Sequence, residues 1–233
     1  MLVGAGNARL RLAQVALLAG VLTGCTQASD EGAGSSASAT ADSSGKGTEV
    51  AERGGTIGAS GSACELPVTF DIAKDWTAEA VDAGAAKDKA SGSGTADPED
   101  ELGEEVADAL LHQGPVTAAC EVDAKPAGNI GFLRVWTGEP GDDDARTVLE
   151  AFVAAEDGTS KAQYRNVKAG DLDGAEVAYQ YTSKILDETK QEHALAVTTA
   201  SGPVVLHLGG LDTEEHRAML PAFELAKRTL HTA

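Results

Sequence analysis

The sequence predicts an α+β domain in which helices flank an antiparallel sheet. Three observations carry this. Short runs alternate apolar and polar residues; the later runs come in pairs joined by Gly, Asp or Ser turns; and stretches with helical period, opened by acids, stand between and after them. The chain has 233 residues, of which 42% are hydrophobic and 4% aromatic, too apolar for disorder throughout. Its 37 acids against 18 bases give a formal net charge of −19. Such a chain offers no basic face to neutralise phosphates, so nucleic acid is not an expected partner.

The folded part is expected over residues 63–233. Leu66 to Ile72 reads as a strand with Val68, Phe70 and Ile72 on one face, followed by a Lys74-Asp75 turn, Trp76 and a short strand from Thr77 to Val81. Residues 83–97 are rich in Gly, Ala, Ser and Lys and read as a loop. Asp97-Pro98-Glu99-Asp100-Glu101 then opens a helix with an N-cap acid, proline in the first turn, and acids facing the helix dipole. Leu102, Val106, Ala109 and Leu110 form its stripe, and Gly114-Pro115 ends it. Val116 to Val122 is the next strand, with Val116, Ala118, Cys120 and Val122 on one face. After a turn at Ala127-Gly128-Asn129, Ile130 to Trp136 is apolar on both faces and therefore central.

Asp142-Asp143-Asp144 opens a second helix, with Ala145, Val148, Leu149, Phe152 and Val153 inward. Gln163 to Val167 pairs with Ala175 to Tyr181 around residues 170–174. Gln191 to Thr199 pairs with Val204 to Leu208 around Ser201-Gly202, a register that sets His207 opposite Ala196 and His193 opposite Gly210. Asp212 and Glu215 predict a capping box. The last helix carries Met219, Phe223, Ala226 and Leu230 on one stripe and is expected to kink or split at Pro221.

The N-terminus reads as an address. Arg9 and Arg11 precede an apolar run from Leu12 to Leu22, the pattern of a secretory signal over residues 1–24. The run is shorter than the roughly 20 apolar residues needed to span a bilayer. Leu22-Thr23-Gly24-Cys25 resembles a bacterial lipobox: small residues fit a narrow protease cleft, and the Cys25 thiol is the group to be acylated. The expectation is a lipidated Cys25 (palmitate-type chains) holding the protein on the extracytoplasmic face of the cell membrane, with an ordinary cleaved signal as the alternative. Cleavage removes two bases, so the lipid and not a basic patch must hold the protein there. Residues 25–62, dominated by Ser, Gly, Ala and Thr after the cysteine, read as a disordered tether spanning roughly 30–35 Å. With Cys25 consumed, Cys64 and Cys120 remain in an oxidising compartment, and a Cys64–Cys120 disulfide is expected. The alternatives are a free pair or a two-cysteine metal site, although no histidine stands at zinc-finger spacing to either.

Some stretches resemble a known fold family. Leu66-Pro67-Val68-Thr69-Phe70-Asp71-Ile72 followed by Trp76, the turn Gly170-Asp171-Leu172-Asp173-Gly174-Ala175-Glu176-Val177, and Val204-Val205-Leu206-His207-Leu208 with Pro221-Ala222-Phe223-Glu224 resemble the PsbP-like domain, including that of actinobacterial secreted lipoproteins of the LpqN type. The resemblance covers about residues 65–231. It implies an α/β sandwich and a binding or scaffolding role, with the acidic segment at about 83–114 as an insertion.

Candidate chemistry is sparse. There is no G-x-S-x-G, P-loop, G-x-G-x-x-G or H-E-x-x-H motif, and Ser43-Ser44-Gly45-Lys46 lacks the companion motifs of a serine nucleophile. The acids at 97–108 and 142–144 read as solvated helix starts rather than Ca²⁺ ligands. A divalent-cation-buffering surface is the weaker reading of the net charge. His216, in the first turn of the last helix, is expected to be a neutral surface or interface group. Tyr179 and Tyr181 share one strand face: covered, they pack in a core; uncovered, they form a binding face. No catalytic residue, cofactor or metal is expected. The sequence therefore reads as a lipid-anchored, non-catalytic envelope protein whose partner beyond the membrane is another envelope protein or an apolar ligand. An exported hydrolase with an assembled site is the alternative.

Overall fold

Alternation sets up the strands, and antiparallel pairing joins them into two sheets. A computed structural model describes residues 49–82 and 111–233, which lie within one compact unit, Lys46–Ala233. The larger sheet comprises β3 (Thr77–Ala80), β5 (Val116–Asp123), β6 (Gly131–Thr137), β7 (Thr159–Ala169), β8 (Leu172–Ser183), β9 (Glu188–Thr199) and β10 (Gly202–Gly210). Its spatial order is β3-β5-β6-β10-β9-β8-β7, with the two-residue β4 (His112–Gln113) paired to β5. The smaller sheet has the order β1-β2-β11, from β1 (Arg53–Ile57), β2 (Val68–Ala73) and β11 (His231–Thr232). Two helices are described, α1 (Ala145–Ala154) and α2 (Thr213–Arg228).

Each face of the larger sheet carries its own core. On one face Leu133, Val135, Leu195, Val204, Leu206 and Leu208 pack against Val68 and Phe70 of the smaller sheet and Met219, Phe223 and Ala226 of α2. On the other, Trp136, Val177, Ala194, Ala196 and Val205 pack against Val148, Leu149, Phe152 and Val153 of α1. Cover on both sides explains why every residue of β10 is buried. Phe70, Phe152 and Phe223 are fully buried, each contributing about 1.5–3 kcal/mol of transfer free energy. The architecture is dominated by sheet: α2 shares its face with three strands, so the expectation of helices flanking one sheet holds only in part. Cys64 is bonded to Cys120 with a Cα–Cα separation of 5.9 Å, tying the loop before β2 to the larger sheet.

The order departs from expectation at specific points. The expected tether, residues 25–62, contains β1, which pairs with β2, and Ile57, which is buried. Ala51 N–H also donates to Pro221 O at 3.0 Å, so the ordered body begins before residue 63. The helix expected from Asp97 starts outside the described residues. At its far end His112 and Gln113 already pair with Thr117 and Val116 as a strand. A bulge between Ala118 and Cys120 rotates β5, so Val116 and Ala118 join the α1 core while Cys120 and Val122 join the other; they do not share one face. The β7–β8 turn is tighter than expected, with Ala169 opposite Leu172 across Gly170-Asp171.

In the β9–β10 hairpin Gly202 enters the ladder opposite Thr199, moving the turn to Ala200-Ser201. His207 therefore faces Ala194 and His193 faces Leu208, two places from the expected register; the two histidines point to opposite faces. α2 is continuous through Pro221. Half of its capping box forms: Asp212 Oδ1 accepts from Glu214 and Glu215 N–H, but Glu215 accepts from Ile130 N–H. On α1 the Asp144 carboxylate accepts from Thr147 N–H at 2.7 Å, the N-cap role expected of that acid run.

Candidate functional site

The long β8–β9 hairpin projects beyond the end of β10. Pairing between β9 and β10 stops at His193 opposite Leu208, while β8 and β9 continue to Ser183 opposite Glu188. Gly209 and Gly210 stay with Phe132 and Gly131 of β6, and the chain then turns through Leu211 and Asp212 into α2. Gly210 permits that turn, because a Cβ there would lie 2.9 Å from His216 N. The divergence leaves a crease of about 700 Å³ lined by Tyr181, Leu186, Glu188, Lys190, Leu211 and Asp212 among others. Thr182 N–H donates to Gly158 O, away from β9, so Thr182 and Thr189 are a non-hydrogen-bonded pair. The Thr189 N–H and C=O therefore point away from β8, into the crease.

From Lys190, which lines the crease, a polar cluster runs into the buried interior. Lys190 Nζ donates to Gly210 O at 2.8 Å and pairs with Glu192 Oε1 at 2.9 Å, lying 5.4 Å from the Tyr181 ring centroid. Glu192 Oε2 sits 2.9 Å from His207 Nε2. The Tyr179 hydroxyl is 2.9 Å from Glu192 Oε2, 2.9 Å from Glu156 Oε2 and 3.1 Å from His207 Nε2. Phe152 of α1 meets the His207 ring edge-on at 5.6 Å. Burial works to raise the Glu192 carboxyl, but His207 and Lys190 outweigh it and bring it down to about 2. Burial raises Glu156, with Glu192 adding to the effect. The Tyr179 phenol is pushed well above its ordinary value by burial and then by the two carboxylates. It is neither nucleophile nor base at neutral pH.

The expected Tyr179–Tyr181 face is thus divided. Tyr179 lies under α1, buried among carboxylates; Tyr181 is half-buried and lines the crease. His216 is fully buried rather than at the surface, with its Nε2 2.7 Å from His193 Nδ1. Beside this pair Lys227 Nζ joins Glu176 Oε2 at 2.9 Å and Glu224 Oε1 at 2.5 Å, and Arg165 reaches Glu176 Oε1 at 2.5 Å. Among the described residues no group of three His, Cys, Asp or Glu side chains stands together as a metal site. No described helix is long and apolar enough to cross a membrane. Cys25 lies outside the described residues. Lys190, Glu192, Leu186 and Leu211 were not singled out in the sequence. The available signal was Glu192, a charge at an inward position of an alternating strand.

Fold and site together define an antiparallel α+β domain with a crease at one end and its buried ionisable groups paired internally. The chain belongs to a family of uncharacterised lipoproteins, whose family model matches residues 34–230. No curated protein sequence matches it. Among solved structures it is similar to the solution structure of cyanobacterial PsbP (CyanoP) from Synechocystis sp. PCC 6803, with 12% identity, coverage of 82% of this chain and 98% of that one, and a TM-score of 0.47. At that level the likeness carries no argument about activity.

Proposed function

We propose that this lipoprotein is anchored through Cys25 on the extracytoplasmic face of the cell membrane and serves there as a non-catalytic binding protein, using the crease as its binding surface. One observation carries the binding reading. The ionisable groups behind the crease are spent on one another, while Leu186 and Leu211 at its lips are 64% and 57% exposed. Such an arrangement suits an apolar ligand or an apolar segment of another envelope protein. The finer assignment, to the LpqN-type lipoproteins of actinobacteria, rests on the sequence stretches that resemble that domain. Two comparisons test the proposal. Cys25→Ala should move the protein from the membrane to the soluble fraction or block its processing; unchanged fractionation of a normally processed variant refutes the anchor. Detergent extracts passed over immobilised native protein and over Leu211→Asp should differ in what is retained; identical recovery removes the crease from the binding surface.

A further inference from the structure

The large hydrophobic side chains exposed among the described residues are Ile130, Ile185, Leu186 and Leu211, at 50%, 94%, 64% and 57%. All four lie at one end of the larger sheet. Ile185 and Leu186 form the β8–β9 tip, beyond Ser183 opposite Glu188. Leu211 follows β10, and its N–H donates to Ile130 O, just before β6, at 2.9 Å. Because β9 is antiparallel to β10, its start and the end of β10 share that edge.

The chain also enters the domain there. Arg53, the first residue of β1, is opposite Ala73 at the end of β2, and Lys74 N–H donates to Glu52 O at 2.8 Å. Thr77 then pairs with Asp123 and Asp123 with Phe132, at the Ile130 end of β6. A concavity lined by both Glu52 and Asn129 joins the entry point to Ile130 directly. Residues 26–48 separate Cys25 from the first described residue, a covalent reach of at most about 80 Å.

We infer that this end docks on the bilayer that holds the acyl anchor, with the Ile185–Leu186 tip seated in the headgroup–acyl boundary and Leu211 and Ile130 against its surface. The inference rests on the anchored reading and names the occupant of the crease end as membrane lipid. An anchored domain meets the bilayer at high effective concentration, so the patch need only choose an orientation. Seating two aliphatic side chains favours one orientation by about a hundredfold. Asp187, Glu188 and Asp212 outnumber Lys184 beside the patch, so a zwitterionic surface suits it better than an anionic one.

The test uses acylated full-length protein on phosphatidylcholine vesicles with brominated acyl chains. Leu186→Trp reports from the tip, and Ser201→Trp from the β9–β10 turn at the opposite end. A tip about 5–10 Å into the boundary brings Leu186→Trp within reach of the bromine. Its emission should shift to the blue and be quenched, while Ser201→Trp behaves as the unsubstituted protein does. Ile185→Ser/Leu186→Ser in the unacylated Cys25→Ala background should weaken vesicle partitioning at least about tenfold. If the acylated protein floats with vesicles but neither tryptophan is quenched, the docking is overturned and the anchor stands. If it does not float, both fall. If Leu186→Trp is shielded from iodide in native membranes without lipid quenching, a protein covers the tip and the docking is likewise overturned.

Discussion

His193 Nδ1 and His216 Nε2 lie 2.7 Å apart, with the rings stacked at 4.9 Å and 17°. The contact needs one proton between the two nitrogens. His216 Nδ1 is buried and makes no hydrogen bond. Leaving a lone pair unpaired there costs less than leaving an N–H, so the favoured arrangement has His216 Nε2–H donating to His193 Nδ1. A buried, neutral imidazole in the first turn of a helix also avoids a cation at the positive end of the helix dipole.

That pair makes the fold acid-sensitive. Burial and then His193 lower His216 from 6.5 to about 3, and burial lowers His193. Glu192, His207 and Lys190 also act on His216, and Glu176, Arg165, Lys227 and Glu224 act on His193. Below about pH 6.5 the unfolded chain takes up protons that the folded one refuses, so stability falls with pH between 6.5 and 3. The loss from His216 is on the order of 5 kcal/mol across that window. Denaturant melts at pH 7.5 and pH 4.5 should show the difference, and His216→Phe should flatten it. Equal acid sensitivity in that variant would assign the effect elsewhere.

Tyr179→Phe keeps the ring and removes the hydroxyl from Glu156, Glu192 and His207. The Glu192–His207 and Glu192–Lys190 pairs survive. A loss of about 1–2 kcal/mol is expected in chemical unfolding, with whatever the crease retains left unchanged. Abolished retention by a stably folded variant would return Tyr179 to the binding surface.

The Cys64–Cys120 bridge closes a loop across 56 positions and ties two layers. Replacing both cysteines with alanine should cost about 2–4 kcal/mol. Mass spectrometry of the unreduced native protein should show the linked peptides; free thiols at both positions would refute the bridge.

Gly170 has φ +54°, and a Cβ there would lie 1.8 Å from Leu230 O. Gly170→Ala should therefore cost more than about 2 kcal/mol, by strain and by pushing Leu230, in the link between α2 and β11, away from the β7–β8 turn. Gly128 has φ +91° with open space around it, so Gly128→Ala should cost only about 1 kcal/mol. Thermal melts of the two variants side by side separate the clash from the backbone term; equal losses would remove it.

What was legible in the sequence was periodicity. Met219, Phe223 and Ala226 are buried on α2 as read, while Leu230 is buried just beyond its end; Phe132 to Trp136 falls on the inner strand β6, but Ile130 stands exposed just before it. What was not legible depends on pairing between distant segments. β1 looked like a tether because Arg53-Gly54-Gly55-Thr56 is polar and small; it folds because β2 offers an edge. The bulge at Ala119 leaves no compositional mark, yet it divides one apparent face between two cores. The crease follows from β10 leaving β9 at two glycines, and the exposed aliphatics at its lips lie in turns that looked unremarkable in isolation.

The bridge from Cys64 to Cys120 has a mechanical consequence. β1 is an edge strand whose only ladder partner is β2, so traction ahead of Arg53 that breaks the Ala51–Pro221 hydrogen bond would peel it off one residue at a time up to the buried Ile57. Peeling ends at Cys64, where the load passes through covalent sulfur to β5. A tug on the leash can strip the first strand and its loop, but the sheet behind them bears the strain as one body.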